Sequence, residues 1–455
     1  MGYKKNNSSF GALIALVVIV AAALYVYFSA TFERNAPIVD VKTNGYWNLK
    51  APLAVKLEDV SGIKTYKITL KTSQGDTTLE YEQLITPQNE ITLEVKPPRT
   101  SYTMKDKTIE IIIEAVDASK WNMLKGNSVR KAVKLVIDKR KPQLNILSNS
   151  YKISRGGSAL VIFKAKDDNL DELYIKGNNN KHFKVTPFYK KGYYISLLAW
   201  PVIDSSFKAT VIAKDKAGNS SKAYIPLYLK QKEYRTSKIT LSDRFLKGKI
   251  ADLAEEFVET EGVENKLEQF KIINEDVRAK NEILIHDITS NVDEEQISNF
   301  KITKMYPLKN AQVVARFGDH RKYYYDGDFI SEAYHLGLDL ASNAMAEIKP
   351  QNKGEVVFSD YNGLYGNMPV VSHGLGLYTV YGHCSSIKVN SGDEIIKGET
   401  IANTGKSGYA MGDHLHFGVL VQGIEVRPQE WMDKQWIKLN INDVIKDAKA
   451  IIDRN

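Results

Sequence analysis

Histidine is scarce in this chain, and it is clustered. Eight occur in 455 residues, and six of them (His320, His335, His373, His383, His414 and His416) fall between positions 320 and 416. Two short segments carry the pattern: H-L-G-L-D at His335–Asp339 and H-L-H-F-G-V at His414–Val419. In an extended strand, residues i and i+2 share a face. His414 and His416 therefore point together, with Gly418 and Leu420 following, while Leu415, Phe417, Val419 and Val421 fill the opposite face. Burying two imidazoles without partners costs on the order of a few kcal/mol. A metal ion or a polar cleft relieves that cost. Two imidazoles and one carboxylate, with a fourth position open, describe a catalytic zinc site; structural zinc sites favour thiolates. Such a site lowers the pKa of bound water and polarises a carbonyl, which implies amide hydrolysis. H-x-x-x-D alone is common in unrelated chains. Its joint presence with H-x-H, and with Y-G-H at Tyr381–His383 between them, is far more specific.

A longer run of motifs surrounds these residues. It comprises F-G-D-H-R at 317–321, H-L-G-L-D-L at 335–340, G-E-V-V-F at 354–358 and Y-G-N at 365–367. It continues with S-H-G-L-G-L-Y-T-V-Y-G-H at 372–383, V-N-S-G-D at 389–393, I-A-N-T-G-K-S-G at 401–408 and G-D-H-L-H-F-G-V at 412–419. Across Met305–Trp431 the chain resembles the LytM/lysostaphin-type metallopeptidases of family M23, which cut peptides in bacterial peptidoglycan. The resemblance implies an antiparallel β-sheet with an open groove for an extended peptide. It implies one zinc ion per chain, held by His335, Asp339 and His416. His383 and His414 would then line the site as non-ligand histidines, one handling a proton of the attacking water and the other stabilising the developing oxyanion.

Departures from the family pattern are few. Asp413 stands where proline is common and is expected to complete the turn before His414. The segment from Phe317 to His335 is longer than the minimal version and carries Tyr323, Tyr324 and Tyr325, a candidate groove wall. Cys384, the sole cysteine, is expected to have no chemical role, and His320 and His373 are expected to be structural.

The remainder of the chain must hold this domain and deliver it. Phe10 to Ala30 is an uncharged apolar run of about 20 residues, enough to span a bilayer as a helix. Lys4 and Lys5 precede it, so residues 1–9 should stay cytoplasmic and the bulk of the chain should lie on the exported, periplasmic side. An uncleaved membrane anchor at 10–30 is preferred over a signal peptide, whose apolar core is shorter. The fold class expected is mainly β and multidomain. Residues 36–140 and 141–230 read as two β-sandwich modules resembling bacterial immunoglobulin-like domains, with period-2 runs such as Leu53–Leu57, Thr65–Leu70, Ile109–Ala115, Ala159–Lys164 and Ala223–Leu229. Asp117 and Asp215 near the module ends are read as closing turns rather than binding calcium.

A helical linker is expected over 242–303. Leu246, Ile250, Leu253 and Phe257 share one helical face, with Ser242 or Asp243 as N-cap and Gly262 ending the helix; Leu267, Phe270 and Val277 mark a second helix. Lying just before the peptidase-like domain at 305–432, this section could cover its groove. Residues 433–455 form a polar helical tail. The net charge of +8 and a sequence pI of about 9.0 favour anionic neighbours such as lipid headgroups or wall polymer. No nucleic-acid module accompanies that charge; the apolar run implies the membrane as a partner, and the family resemblance implies peptidoglycan. Two rival readings are a catalytically inactive scaffold or activator of another wall hydrolase, and an adhesion protein acting through its sandwiches.

Overall fold

The computed structural model describes residues 8–454. Lys4 and Lys5, on which the orientation argument rests, lie outside the described residues. A helix covers Ser8–Phe28. Its stretch Phe10–Phe28 has a mean hydropathy of 2.6, and none of it is buried by protein. At the helical rise, 19 residues span about 28 Å, close to the hydrocarbon thickness of a bilayer. The helix ends two residues before the expected boundary, and a short 3-10 turn, Ala30–Phe32, follows.

The described residues form two compact units. The first runs to Pro142 and includes the short segments Asp167–Asp171 and Lys214–Ser220. Its six strands join one ladder. The two predicted strands Leu53–Leu57 and Thr65–Leu70 are one 20-residue strand, Leu53–Thr72. It pairs with Ile38–Val41 at one end, with Thr108–Asp117 at the other, and with Gly75–Val95 along its length. The register breaks between Glu58 and Ile63, where Gly62 takes φ +87. A side chain there would meet Pro87 Cβ at 2.9 Å, so glycine lets the strand bend without stopping. Val55, Leu57, Ile63, Ile68, Ile111 and Ile113 fill this core. Asp117 Oδ1 accepts the Ser119 and Asn127 amides at 3.0 and 2.7 Å. Asp215 accepts the Asn219 amide and its side-chain nitrogen, both at 2.8 Å. Both aspartates close turns, as their spacing implies.

The second unit comprises Gln143–Lys166, Glu172–Ala213 and Ser221–Asn455. It contains the second β module and the histidine-rich domain on a continuous core. The domain's main sheet has eight strands. Its spine is Leu415–Val421, every residue of which is buried. Leu338–Ala341 lies antiparallel on one side of it and Leu377–Gly382 on the other. The strand's faces go to different cores, as alternation requires. Leu415, Phe417, Val419 and Val421 join the large core shared with the second module. Leu420 packs in a separate cluster with Tyr365, Met368 and Val380.

Polar side chains tie that module to the domain. Gln422 accepts the Lys184 amide at 2.8 Å and donates to Ser196 Oγ and the Leu197 carbonyl, both at 3.2 Å. The fully buried Trp431 donates its indole N–H to Ser158 Oγ at 3.1 Å. Glu430 accepts the Ser158 amide at 3.0 Å. Gly157 makes room for that carboxylate, since a Cβ there would stand 2.6 Å from both oxygens.

Glu430 gives this contact a pH dependence. Burial pushes its carboxyl up to about 7, against the Ser158 amide and Arg427, which pull it down. The folded state then binds a proton that the unfolded chain releases, so this group's stability contribution is complete below the unfolded value of 4.5 and is lost as pH rises through about 7. The full effect is roughly 3 kcal/mol. Thermal unfolding of the wild type is expected to shift upward as pH falls from 8 to 5.5, and Glu430→Gln to remove most of that shift. Glu282, also raised to about 7 by burial, contributes in the same direction. An unchanged pH profile in Glu430→Gln would show that the carboxyl is solvated.

Three expected boundaries are corrected. The run Ala223–Leu229 is two short strands, Ser220–Tyr224 and Tyr228–Lys230, in different sheets, because Pro226 between them has no N–H for a ladder. The first linker helix stops at Ala254, so Phe257 is extended and Gly262 lies in a later turn. Ser242 caps its start, accepting from the Phe245 amide. The second runs from Lys266 to Thr289 through a π-turn at Ile273–Val277, while 290–303 is not helical and buries Phe300 and Ile302 in the large core. The C-terminal tail is not free. Ile441, Val444, Ile445, Ala448 and Ile452 recur at helical spacing and are buried in that same core.

Candidate functional site

Strand register brings the first two site residues together. Asp339 lies directly across from His416, and Gly382 lies across from His416 on the other side. His335 precedes the Asp339 strand and turns back toward it. The turn passes through Gly337, where a Cβ would stand 2.4 Å from His416 Cε1 and Nε2. Only glycine lets H-L-G-L-D approach the second histidine so closely. His335 Nε2 is 3.0 Å from Asp339 Oδ1 and 3.2 Å from His416 Nδ1. His416 Nδ1 is 2.9 Å from the same Asp339 oxygen. All three residues are buried.

These donors suit a divalent metal. His335 donates its Nδ1–H to the Arg316 carbonyl at 3.0 Å, which leaves the Nε2 lone pair facing the other two. That outer hydrogen bond sets the tautomer a metal ligand needs. His335 Nε2, His416 Nδ1 and Asp339 Oδ1 lie within 3.2 Å of one another, close enough to serve one cation as its ligands. Burial alone would push the Asp339 carboxyl up, yet His335 and His416 hold it well below the usual carboxylate range. Burial also lowers His416, favouring the neutral ring that binds metal. The set is nitrogen and oxygen without sulfur, as a hydrolytic zinc site uses.

His383 and His414 sit beside this group, their ring centroids 4.8 Å apart. His383 adopts φ +65, a left-handed conformation that an ordinary residue holds only when its surroundings demand it. Its Nδ1–H donates to the Ser407 carbonyl at 2.9 Å, so Nε2 is the free acceptor. Burial, with His416 and His414 nearby, lowers it to about 3, and the ring is neutral at physiological pH. His414 donates Nδ1–H to the Gly412 carbonyl at 2.8 Å, and its Nε2 is 3.7 Å from Asp339 Oδ2. All five sequence-derived site residues line one cavity of about 240 Å³.

The residues set aside by sequence lie elsewhere. His373 bridges the Lys353 carbonyl and Thr379 Oγ1. His320 stacks on Tyr334 at 4.4 Å and meets Glu332. Cys384 is buried and pushed up to about 12 by burial, an unreactive thiol. Asp413 accepts from Thr404 Oγ1 at 2.6 Å and from the Met345 amide at 3.0 Å, so it fastens its loop. Of the three tyrosines, Tyr323 lines the cavity, whereas Tyr325 hydrogen bonds to Asp243.

Arg321 and Tyr365, which stand in the F-G-D-H-R and Y-G-N segments, also line the cavity, as do Arg278 and Tyr409, which no quoted segment contains. Arg278 comes from the second linker helix. That helix buries Phe270, Ile273 and Val277 against Tyr323, Ala333 and Leu364. Asn281 accepts the Leu364 amide at 2.8 Å. The strand Thr236–Thr240 adds to the hairpin strand His320–Tyr325 in parallel. The helical section is therefore a wall of the cavity, joined to it by core packing, rather than a cover laid over it.

Comparison with known proteins finds the same region. Residues 333–428 match Peptidase family M23. The chain is 33% identical over 98 residues to the murein hydrolase activator EnvC of Escherichia coli, covering 22% of this chain and 23% of that protein. It is 29% identical over 161 residues to the peptidoglycan DD-endopeptidase ShyB of Vibrio cholerae, covering 35% and 36%. The chain thus spans well under half the length of these curated relatives. Among solved structures, a putative peptidase M23 from Pseudomonas aeruginosa aligns over 62% of this chain and 96% of its own, with a TM-score of 0.37 and 18% identity.

Proposed function

From the premise that residues 333–428 are a domain of peptidase family M23, we propose that this protein is a zinc-dependent endopeptidase that hydrolyses peptide bonds of peptidoglycan. The observation that carries the reading is the convergence of His335, Asp339 and His416 in one buried group with His383 and His414 alongside. Zinc held by the first three would supply a Lewis acid where the substrate amide is bound. The chain's own residues do the rest. His383, neutral and with Nε2 unoccupied, accepts a proton or hydrogen bond at the reacting centre. His414, fixed through the Gly412 carbonyl, presents its Nε2 at the same centre. The cavity walls hold an extended peptide and exclude bulk water from one side. The single apolar helix, Phe10–Phe28, would anchor the chain in the cytoplasmic membrane with the catalytic domain exported.

The test is digestion of purified sacculi by the full chain in detergent, loaded with zinc, followed by mass analysis of the products. Wild type should release peptide-cleaved fragments and His335→Ala should not. The activator reading draws on the similarity to EnvC. It would gain if wild type cut nothing yet stimulated a second wall hydrolase equally with His335→Ala.

A further inference from the structure

We propose that Arg278 and Arg321 form a carboxylate-binding subsite beside the metal centre, so that the enzyme selects amides with a free carboxylate near the scissile bond. This rests on the endopeptidase reading above. Both residues line the cavity that contains the five site residues, and Arg278 also borders a neighbouring cavity that carries Glu282 and Glu425. Asp339 is the sole carboxylate lining the site cavity itself, and it is already held by His335 and His416. The site cavity therefore carries two positive charges with no free anion opposite them. A substrate amine would be repelled there and a carboxylate attracted.

The two arginines are held differently, and each leaves donors free. Arg278 donates Nε–H to the Asn274 carbonyl at 3.1 Å and Nη2–H to Asn274 Oδ1 at 3.0 Å. Asn274 is itself buried and donates to Ser331 Oγ at 2.8 Å. It sits in the π-turn Ile273–Val277, the kind of helix irregularity that recurs at functional sites. The Arg278 guanidinium also lies over the Tyr409 ring, 5.9 Å from its centroid. Among the described residues it forms no ion pair. The acid that acts on it, Glu282, is pushed up to about 7 by burial. Arg321 has only a loose partner, Asp319 Oδ2 at 3.7 Å, and Asp319 is engaged by Ser237 Oγ at 2.7 Å. A guanidinium offers five N–H donors in a planar fork. Arg278, anchored but incompletely used, is preorganised for a carboxylate, and the loosely held Arg321 can close on it. Both residues lie outside 333–428. The peptidase domain supplies the reacting centre, while the helical wall and the preceding hairpin supply the selection.

Two carboxylates of a cross-linked stem peptide could fill this role: the C-terminal one and the side-chain one of a diamino diacid. Three synthetic peptide dimers separate them. One has every carboxylate free, one has the C-terminal carboxylate as carboxamide, and one has the side-chain carboxylate as carboxamide. Full-length, zinc-loaded protein in detergent should cleave the free dimer over one of the two amidated dimers by roughly 10- to 100-fold in kcat/KM, the value of a charged hydrogen bond. Arg278→Gln and Arg321→Gln should each bring that ratio toward one, mainly through KM, with Arg321→Lys restoring part of it. Metal-free protein should bind the free dimer with the same preference by calorimetry, and the glutamine variants should lose it. Wild-type cleavage of all three dimers at equal rates would overturn the subsite and leave the endopeptidase reading intact. So would an undiminished preference in both glutamine variants. Cleavage of none of them by zinc-loaded wild type would overturn the endopeptidase reading, and this proposal with it.

Discussion

Asp339→Ala is expected to abolish both stoichiometric zinc and cleavage, the largest single effect in the chain. The carboxylate is the shared partner of the two imidazoles proposed as ligands, with one oxygen 3.0 Å from His335 Nε2 and 2.9 Å from His416 Nδ1. Removing it leaves two rings facing one another at 3.2 Å with no negative charge to offset a dication. Two nitrogen ligands do not complete a catalytic zinc site, which needs three protein ligands. Zinc content by elemental analysis should fall from about one per chain to background, and kcat/KM by on the order of a thousandfold or more. Loss of the buried charge also frees His335 and His416 from an anion, so the fold should survive; thermal unfolding of the metal-free proteins measures that separately. An Asp339→Ala protein that kept one zinc per chain and its activity would refute the assignment of the metal.

His383→Ala and His414→Ala are expected to behave in the opposite way, keeping zinc while losing turnover. Both rings adjoin the metal group without belonging to it. Each spends its Nδ1–H on a backbone carbonyl, Ser407 for His383 and Gly412 for His414. Each therefore keeps Nε2 for chemistry. A positioned proton acceptor or hydrogen-bond donor at the reacting centre contributes roughly 100- to 10,000-fold. That factor should appear in kcat, with KM changed little, because these contacts strengthen as charge develops. The strained backbone of His383 adds a second expectation. His383→Asn, which tolerates the left-handed region better than most residues, should match the wild type in thermal stability yet remain as slow as His383→Ala. Zinc loss from His414→Ala as complete as from Asp339→Ala would mean that His414 is a ligand and that the division of roles is wrong.

The site was legible in sequence because strands have a fixed period and metals a narrow choice of donors. H-x-H in an apolar run puts two imidazoles on one face wherever the strand lies. The structure accordingly finds Leu415, Phe417, Val419 and Val421 in one core and Leu420 in another. The glycine of H-L-G-L-D needed a partner to explain it, and only the fold shows that His416 occupies the space its side chain would take. Helix existence near Leu246 and Phe270 followed from spacing, but the ends did not. Ala254 closes the first helix without a glycine, and a π-turn carries the second through to Thr289. Local propensity is too weak to set such ends against packing.

By itself, the amino-acid sequence determined that this chain has an apolar segment long enough to cross a membrane, a mainly β body and one cluster of residues suited to hold a metal. Each of these is local: it depends on residue type and on spacings of a few positions. The tertiary structure decided what surrounds that constellation. It brought Arg278 across more than fifty positions to the wall of the His335 cavity, and it laid that arginine over the Tyr409 ring in the same wall. It turned the helical linker into a wall and the C-terminal tail into part of a core shared with the second β module. These outcomes depend on which apolar faces find one another in a close-packed interior, and no periodicity along one segment records the identity of its partner.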